Sequence, residues 1–528
     1  MILDLNEAEN RDESRECDVA VIGAGVAGLI TACELALKGT RVVLLESGGL
    51  TQEEDAHPYN RVVNTAQEYR GAEHGRFRCL GGTSTRWGGA LIPFRAGDLA
   101  RPGYNGGGAT WPIALDALLP HLPRAEAIFG LPPGPYDLPS QAGPSQAGNR
   151  PEATSFQMRA AKWPMFRNRN LAHVYAEQLK SLHGPQVWLN ATLTRMDLDA
   201  GGRVGSLCAS GAGGRTLTVR AREVVIAAGA IESTRLILQF DARHGNRLED
   251  GREVMGRYFH DHLSAAVARV AVLDRGRLDR TTGFRFEASG MRNVRFEHDG
   301  ESWREGRLPG AFAHVAFATS DRSGFDGVRD IYRAFQKKAV PSKESLALLV
   351  RDAGWLARAA WARFAERRVL APDRAEYEVH LVTEQIPAAE NRIRLSDTER
   401  DALGVPLAEI TWRVRRDDID NSLALLDLFA AYWSSTPLSR CGTLEIYSRH
   451  LWTNALASGG GIYHPGGSLR MARSKREGVV DSDLRVFGVQ NLRVISTACF
   501  PSGGSANPTM MLVLFALRAV EQLSAQLR

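Results

Sequence analysis

Apolar positions along this chain follow two different periods, and the change between them outlines its elements. Residues 18 to 22, Asp-Val-Ala-Val-Ile, form a short apolar run that predicts a buried strand. A helix follows from about Ala27 to Lys38 and stops at Gly39; Arg41 to Leu45 then supplies a second apolar strand ending in Glu46. Strand, helix and strand together have the size of one βαβ unit, about 30 residues.

Further along, the period changes. Glu376 to Val382 alternates cleanly between apolar and polar, and Val267 to Val272 does so less cleanly, which predicts an antiparallel sheet covered on one face and roofing a substrate cavity. Residues 343 to 368 read as helical, with Trp355, Trp361 and Phe364 on a background of alanine and leucine and with Arg351, Arg358, Arg363, Arg367 and Arg368. This stretch is expected to pack its apolar stripe on its own domain in preference to a membrane surface or a partner protein. Pro132 to Pro151, without periodicity, reads as a long loop, either a lid or a plain surface loop. No internal repeat is apparent.

Composition narrows the classes. Hydrophobic residues make up 44% and charged residues 24% of 528, so a folded chain of two or three domains is expected rather than disorder. Its net charge of +5 is too small for its length to predict a nucleic-acid partner. Cys17, Cys33, Cys79, Cys208, Cys441 and Cys499 lie far apart with no CxxC pair, so neither a zinc site nor an iron-sulfur cluster is signalled. No apolar run approaches the roughly 20 residues that cross a bilayer, since 346 to 364 is interrupted by Arg351, Asp352, Arg358 and Arg363. The polar, acid-rich N-terminus lacks a signal-peptide pattern, which makes the cytoplasm the default expectation.

Between the two N-terminal elements stands Gly23-Ala24-Gly25-Val26-Ala27-Gly28. Gly23 permits a tight turn, Gly25 lets a pyrophosphate approach the backbone, and Gly28 lets helix and strand pack closely, with the phosphates at a helix N-terminus. Glu46 is placed to accept from ribose hydroxyls and would repel a 2′-phosphate, leaving FAD or NAD open.

Later segments decide between them. Cys79-Leu-Gly-Gly-Thr-Ser-Thr-Arg-Trp-Gly-Gly-Ala90 suits backbone laid against a flat ligand, and here the sequence resembles the glucose-methanol-choline (GMC) oxidoreductase family. The resemblance recurs at Trp111-Pro112, at Val224 to Ser233, at Gly256 to His262, from Tyr463 to Met471, from Val486 to Val494 and at Asn507-Pro508-Thr509. Glu384 to Pro387 with Asn391 to Ile393, and the run Ser84 to Trp87, are most similar to the pyranose-oxidase and sugar-oxidase branch. Where that branch has a histidine bonded to the flavin, Arg86 stands here, so FAD is expected to be noncovalent.

The resemblance implies an α/β protein, α+β overall. A Rossmann-type FAD-binding domain is expected from discontinuous segments 1–135, 180–265 and 455–528, and a substrate domain with a mainly antiparallel sheet flanked by helices from 136–179 and 266–454. It implies cofactor contacts from Gly23, Gly25, Gly28, Glu46, Gly82, Thr83, Ser84, Trp87, Gly88, Gly89, Ala228, Gly229, Ser496, Pro508 and Thr509. The apolar helix from Thr509 would bring the positive end of its dipole to the flavin.

For the reaction, the resemblance implies oxidation of an alcohol, a secondary one on a sugar, glycoside or polyol, by hydride transfer to flavin N5. His464, in a glycine-rich segment and in the family's histidine position, is expected to be the general base, with Asn507 orienting the substrate oxygen. His57, His121 and His244 read as structural, and His260 and His262 as a domain junction rather than a metal site. Oxygen, a quinone or a redox protein remains open as electron acceptor. A hydroxynitrile-lyase-type activity of the same family and a noncatalytic role are the competing readings.

Overall fold

The computed structural model describes residues 1–528 except 52–56, 101–109, 140–154, 247, 249–253, 337–339 and 459–461. Most of the expected 132–151 loop, from residue 140, and the glycines at 459–461 lie outside the described residues.

The apolar N-terminal runs build a sheet. In spatial order it runs Ile2–Asp4, Gln186–Leu189, Val42–Leu45, Asp12–Ile22, Thr216–Ile226, Val204–Ser210 and Thr192–Leu198, with Leu492–Val494 also pairing to Thr216–Ile226. Its central pairs are parallel and the 192–226 end is an antiparallel meander. Helix Val26–Leu37 covers it, with ten of twelve residues buried, and the C-terminal helix Thr509–Leu527 packs against that helix.

Thr509–Leu527 corrects one expectation: it is long and apolar enough to cross a bilayer. Met510, Met511, Val513, Leu514, Phe515, Ala516 and Leu517 are instead buried in the core of the first sheet. Each such Leu, Val, Met or Phe contributes about 1.5–3 kcal/mol by burial, which ties the chain's end to its beginning.

A second, antiparallel sheet runs Arg285–Glu287, Gly290–His298, Ala311–Ala318, Glu376–Glu384, His262–Val272 and Gly442–Ile446, with Phe156–Pro164 also paired to Gly290–His298. The weak alternation around Val267 has a cause, a register shift between Ala266 and Ala268 that puts an extra residue into the strand. Leu263, Ala265, Phe296, Ala313, Val379 and Leu381 turn to a second core with the helix Arg416–Ser435.

The two cores divide the chain differently from the expected spans in two places. Val62, Tyr69 and Ala72 belong to the second core, and Val63–Asn64 pairs with Pro406–Thr411. Leu171, Tyr175 and Leu179 belong to the first core, because their short helices lie on Val26–Leu37. Both segments are brief excursions without a period long enough to reveal their partner.

The 343–368 stretch is two helices, Lys343–Arg351 and Ala353–Phe364. Leu348, Trp355 and Ala362 are buried as expected, but Trp361 and Phe364 are 68% and 80% exposed. One apolar stripe meets the domain and a second, with Leu346 and Val350, faces outward.

Candidate active site

The glycines after the first strand have separate tasks. Gly23 stands at φ 98°, where a Cβ would lie 2.7 Å from the Ala227 carbonyl oxygen, and a Cβ on Gly28 would lie 1.8 Å from the Gly23 carbonyl. Those two glycines serve the packing of strand on helix. Gly25 does not, since nothing lies within 4 Å of a Cβ there, and it opens the helix Val26–Leu37 with no side-chain cap. Its backbone N–H groups are therefore left for a ligand. Gly229, at φ 75° directly after Ala228 at the next helix start, is equally open.

The loop 79–90 lies on this turn. Gly81 N donates to the Ala24 carbonyl at 3.0 Å, and a Cβ on Gly82 would come within 2.7 Å of Gly25 Cα. Thr83 and Gly88 are exposed, and Gly89 is buried at φ 95° against the Arg169 side chain. Ser84, Trp87 and Ser496, expected among the cofactor contacts, have their polar side-chain atoms bonded within the protein. Ser84 Oγ donates to the Gly81 carbonyl at 2.5 Å and accepts from Leu171 N. Trp87 Nε1 donates to the Arg169 carbonyl at 2.8 Å, and Ser496 Oγ accepts from Ala498 N at 3.2 Å.

Glu46 is 6% exposed and accepts from Ala24 N at 2.8 Å and Gly48 N at 2.9 Å. Burial raises its pKa, while those two bonds and nearby Arg78 pull it down. Glu46 thus braces the glycine turn, with the remaining lone pairs of its oxygens available to ribose. The open face at Gly25, the uncapped helix, this acid and the exposed Thr83 and Gly88 fit the pyrophosphate, ribose and ring of FAD.

The candidate reacting residues converge from three distant segments. His464 Nε2 stands 3.2 Å from Asn507 Nδ2, just before Pro508 at the cap of Thr509–Leu527. His464 Nδ1 stands 3.3 Å from His262 Nδ1, and His262 Nε2 is 2.9 Å from the Gly504 carbonyl. A carbonyl only accepts, so His262 Nε2 bears its proton and its Nδ1 is bare. His464 Nδ1 then donates to it, which leaves His464 Nε2 bare and accepting from Asn507. Asn507 Oδ1 is buried with no partner among the described residues.

Asp261 holds this arrangement. Its Oδ1 accepts from His262 N at 2.7 Å and from His464 N at 2.5 Å, and its other oxygen accepts from the Tyr69 hydroxyl. Burial pushes the Asp261 carboxyl up to about 7 against the pull of those three bonds. Asp261, His262 and His464 form a trio with metal-like spacing among the described residues. All three residues already take part in hydrogen bonds at this spacing, Asp261 to both histidine backbones and His464 to His262. Before His464, Tyr463 sits at φ 60°, and a Cβ on Gly71 or Gly75 would lie 2.6 or 3.1 Å from its ring. Residues 69–75 thus clamp the histidine loop.

Burial lowers the pKa of His464 well below the usual histidine value, helped by His262 and Arg295; His262 is lowered for the same first reason. Both rings are neutral at neutral pH. The sequence reading missed Tyr69, Asp261, Gly504 and Arg295 as site residues, and only the Asp261-His262 pair carried a motif that pointed there.

Two family models match the chain: pyridine nucleotide-disulphide oxidoreductase over residues 17–269 and GMC oxidoreductase over 387–516. The chain is 22% identical to the fructose dehydrogenase large subunit of Gluconobacter japonicus, covering 98% of this chain and 99% of that one. It is 22% identical to 2-methyl-1,2-propanediol dehydrogenase of Mycolicibacterium austroafricanum, over 96% and 95%. Among solved structures, pyridoxine 4-oxidase from Mesorbium loti shares the fold with a TM-score of 0.58 at 16% identity, over 96% and 99%. The ordered sequence blocks, the dinucleotide turn and the C-terminal match converge on one assignment: the chain is an FAD-dependent oxidoreductase of CH-OH donors, similar to the GMC oxidoreductases.

Proposed function

We propose that the chain oxidises an alcohol of the sugar, glycoside or polyol class to a carbonyl, with His464 as general base and Asn507 as the orienting group. The observation that carries this reading is the bare Nε2 of His464 facing Asn507, whose own Oδ1 lacks a partner among the described residues. Bound FAD supplies the two-electron acceptor. The substrate hydroxyl sits at the apex of the pair, gives its proton to His464 Nε2 and accepts from Asn507 Nδ2. Asparagine cannot take a proton, so the base role falls to histidine alone. Fructose and 2-methyl-1,2-propanediol, named for two relatives, are both alcohols, in keeping with this class. Arg86, where a flavin-linked histidine stands in the sugar-oxidase branch, supports noncovalent FAD.

Anaerobic mixing with an alcohol panel, followed by flavin bleaching at about 450 nm, tests the reading. His464→Ala is expected to slow bleaching about 10²-fold or more while FAD stays bound. Unchanged bleaching in that variant removes His464 from the role.

A further inference from the structure

The strand Gly290–His298 crosses the second sheet with Phe296 turned into its core. Alternation sends Arg295 and Glu297 to the opposite face. That face is rich in charge, and its other guanidinium groups have carboxylates. Arg159 meets Glu297 and Asp137 at 2.7 Å each, and Arg95 meets Asp299 at 3.2 Å and Glu297 at 3.4 Å.

Arg295 is the exception among these three. It is 4% exposed, its Nε and Nη1 have no acceptor among the described residues, and its guanidinium lies over the Phe312 ring at 4.1 Å. Its charge reaches His464 and His262, lowering both, and helps lower His314 to about 3. Burial brings Arg295 itself down only to about 10, so it stays charged at neutral pH. Two buried N–H groups without an acceptor among the described residues, on a guanidinium whose nearby carboxylate, Glu297, is bonded to Arg159, are a place for a ligand's acceptor.

We propose that Arg295 anchors a carboxylate on the substrate, so that the preferred alcohol is a hydroxy acid or sugar acid rather than a neutral polyol. This rests on the alcohol-oxidising reading of His464 and narrows its substrate class. One guanidinium balances one negative charge, and its planar edge matches a carboxylate. Anchoring has a second effect. A carboxylate on Arg295 offsets the smallest of the three causes that lower His464, after burial and His262, so the base gains some proton affinity when an acidic substrate is seated.

The test uses FAD-loaded enzyme and three pairs, lactate with 1,2-propanediol, glycerate with glycerol, and gluconate with sorbitol, at constant ionic strength. Binding is read by perturbation of the visible flavin spectrum and by thermal shift, and turnover by anaerobic bleaching. At least one acid is expected to bind 10-fold or more tightly than its neutral partner. Arg295→Gln should bring that ratio to near one, and Arg295→Lys should keep part of it. No acid preference in the wild-type protein overturns the proposal, as does a preference that survives in Arg295→Gln; should that variant not fold, the wild-type ratio and Arg295→Lys decide. Acid binding without bleaching by any alcohol would sink the oxidation reading while leaving the anion anchor standing.

Discussion

The Nδ1 atoms of His262 and His464 face each other at 3.3 Å, and the proton between them belongs to His464 because His262 spends its own on the Gly504 carbonyl. One fixed carbonyl in the segment before Asn507 thereby decides which nitrogen of His464 is bare. On the proposed reading of His464 as base, His262 is a positioning residue that acts through His464.

Removing that ring should show in a way a packing defect would not. His262→Phe takes away the acceptor for His464 Nδ1–H, so the neutral ring is freed to carry its proton on Nε2, where it cannot act as base. Anaerobic flavin reduction is expected to slow by about 10–10² with little change in substrate affinity. The acid limb of its pH profile should also move up, because His262 is one of the causes that hold His464 low. A variant that loses affinity and rate together, with an unmoved limb, would place His262 in the packing alone.

How far the sequence foretold this site depended on whether neighbours in space were also neighbours in a motif. Gly23, Gly25 and Gly28 were legible because one short turn needs all three, and His464 and Asn507 because each sits in its own signature. Tyr69 reaches Asp261 across 192 positions, and Arg295 was one arginine among many in an alternating strand. The internal bonds of the Ser84, Trp87 and Ser496 side chains were not legible for the converse reason: a motif fixes where a residue stands, not which backbone group its side chain will meet.

The glycines give a paired prediction. Gly25→Ala adds a methyl into open space, so the apoprotein should unfold within about 1 kcal/mol of wild type while FAD occupancy falls sharply. Gly28→Ala drives a methyl to 1.8 Å from the Gly23 carbonyl and should cost several-fold more, about 3 kcal/mol or above. Denaturant unfolding of both apoproteins, with FAD content by absorbance, separates the two. Equal destabilisation would mean that Gly25 serves the fold.

Acid should unfold this protein through its buried and half-buried histidines. His260 lies at about 4 and His314 at about 3 in the fold, and His262 and His464 are also lowered, each chiefly by burial. Folded values below the unfolded 6.5 mean that the unfolded chain binds more protons, so this stability is complete above pH 6.5 and is lost as pH falls toward 4. His260 alone accounts for about 3 kcal/mol. Asp261, raised to about 7, acts with opposite sign, its proton stabilising the fold below about 4 and ceasing to do so as pH rises through 7. Four histidines outweigh one aspartate, and Tm measured from pH 7.5 to 4.5 is expected to fall throughout; a flat profile would show these rings free to protonate in place.

Asp261 separates a hydrogen-bonded latch from a metal ligand. Asp261→Ala leaves His464 N–H, His262 N–H and the Tyr69 hydroxyl without their acceptor, each about 1–3 kcal/mol when buried. It also frees the His464 backbone from the position set by Tyr463 between Gly71 and Gly75. The expected result is a lower Tm together with slowed flavin reduction at retained FAD. Asp261→Asn keeps one oxygen for the two backbone donors and an amide for Tyr69, so it should recover most of both. A metal ligand would behave otherwise, since an amide oxygen is a poor replacement for a carboxylate and a chelator would silence the wild-type protein. Dialysis against EDTA is therefore expected to leave flavin reduction intact, and loss of activity restored by a divalent cation would make the trio a metal site.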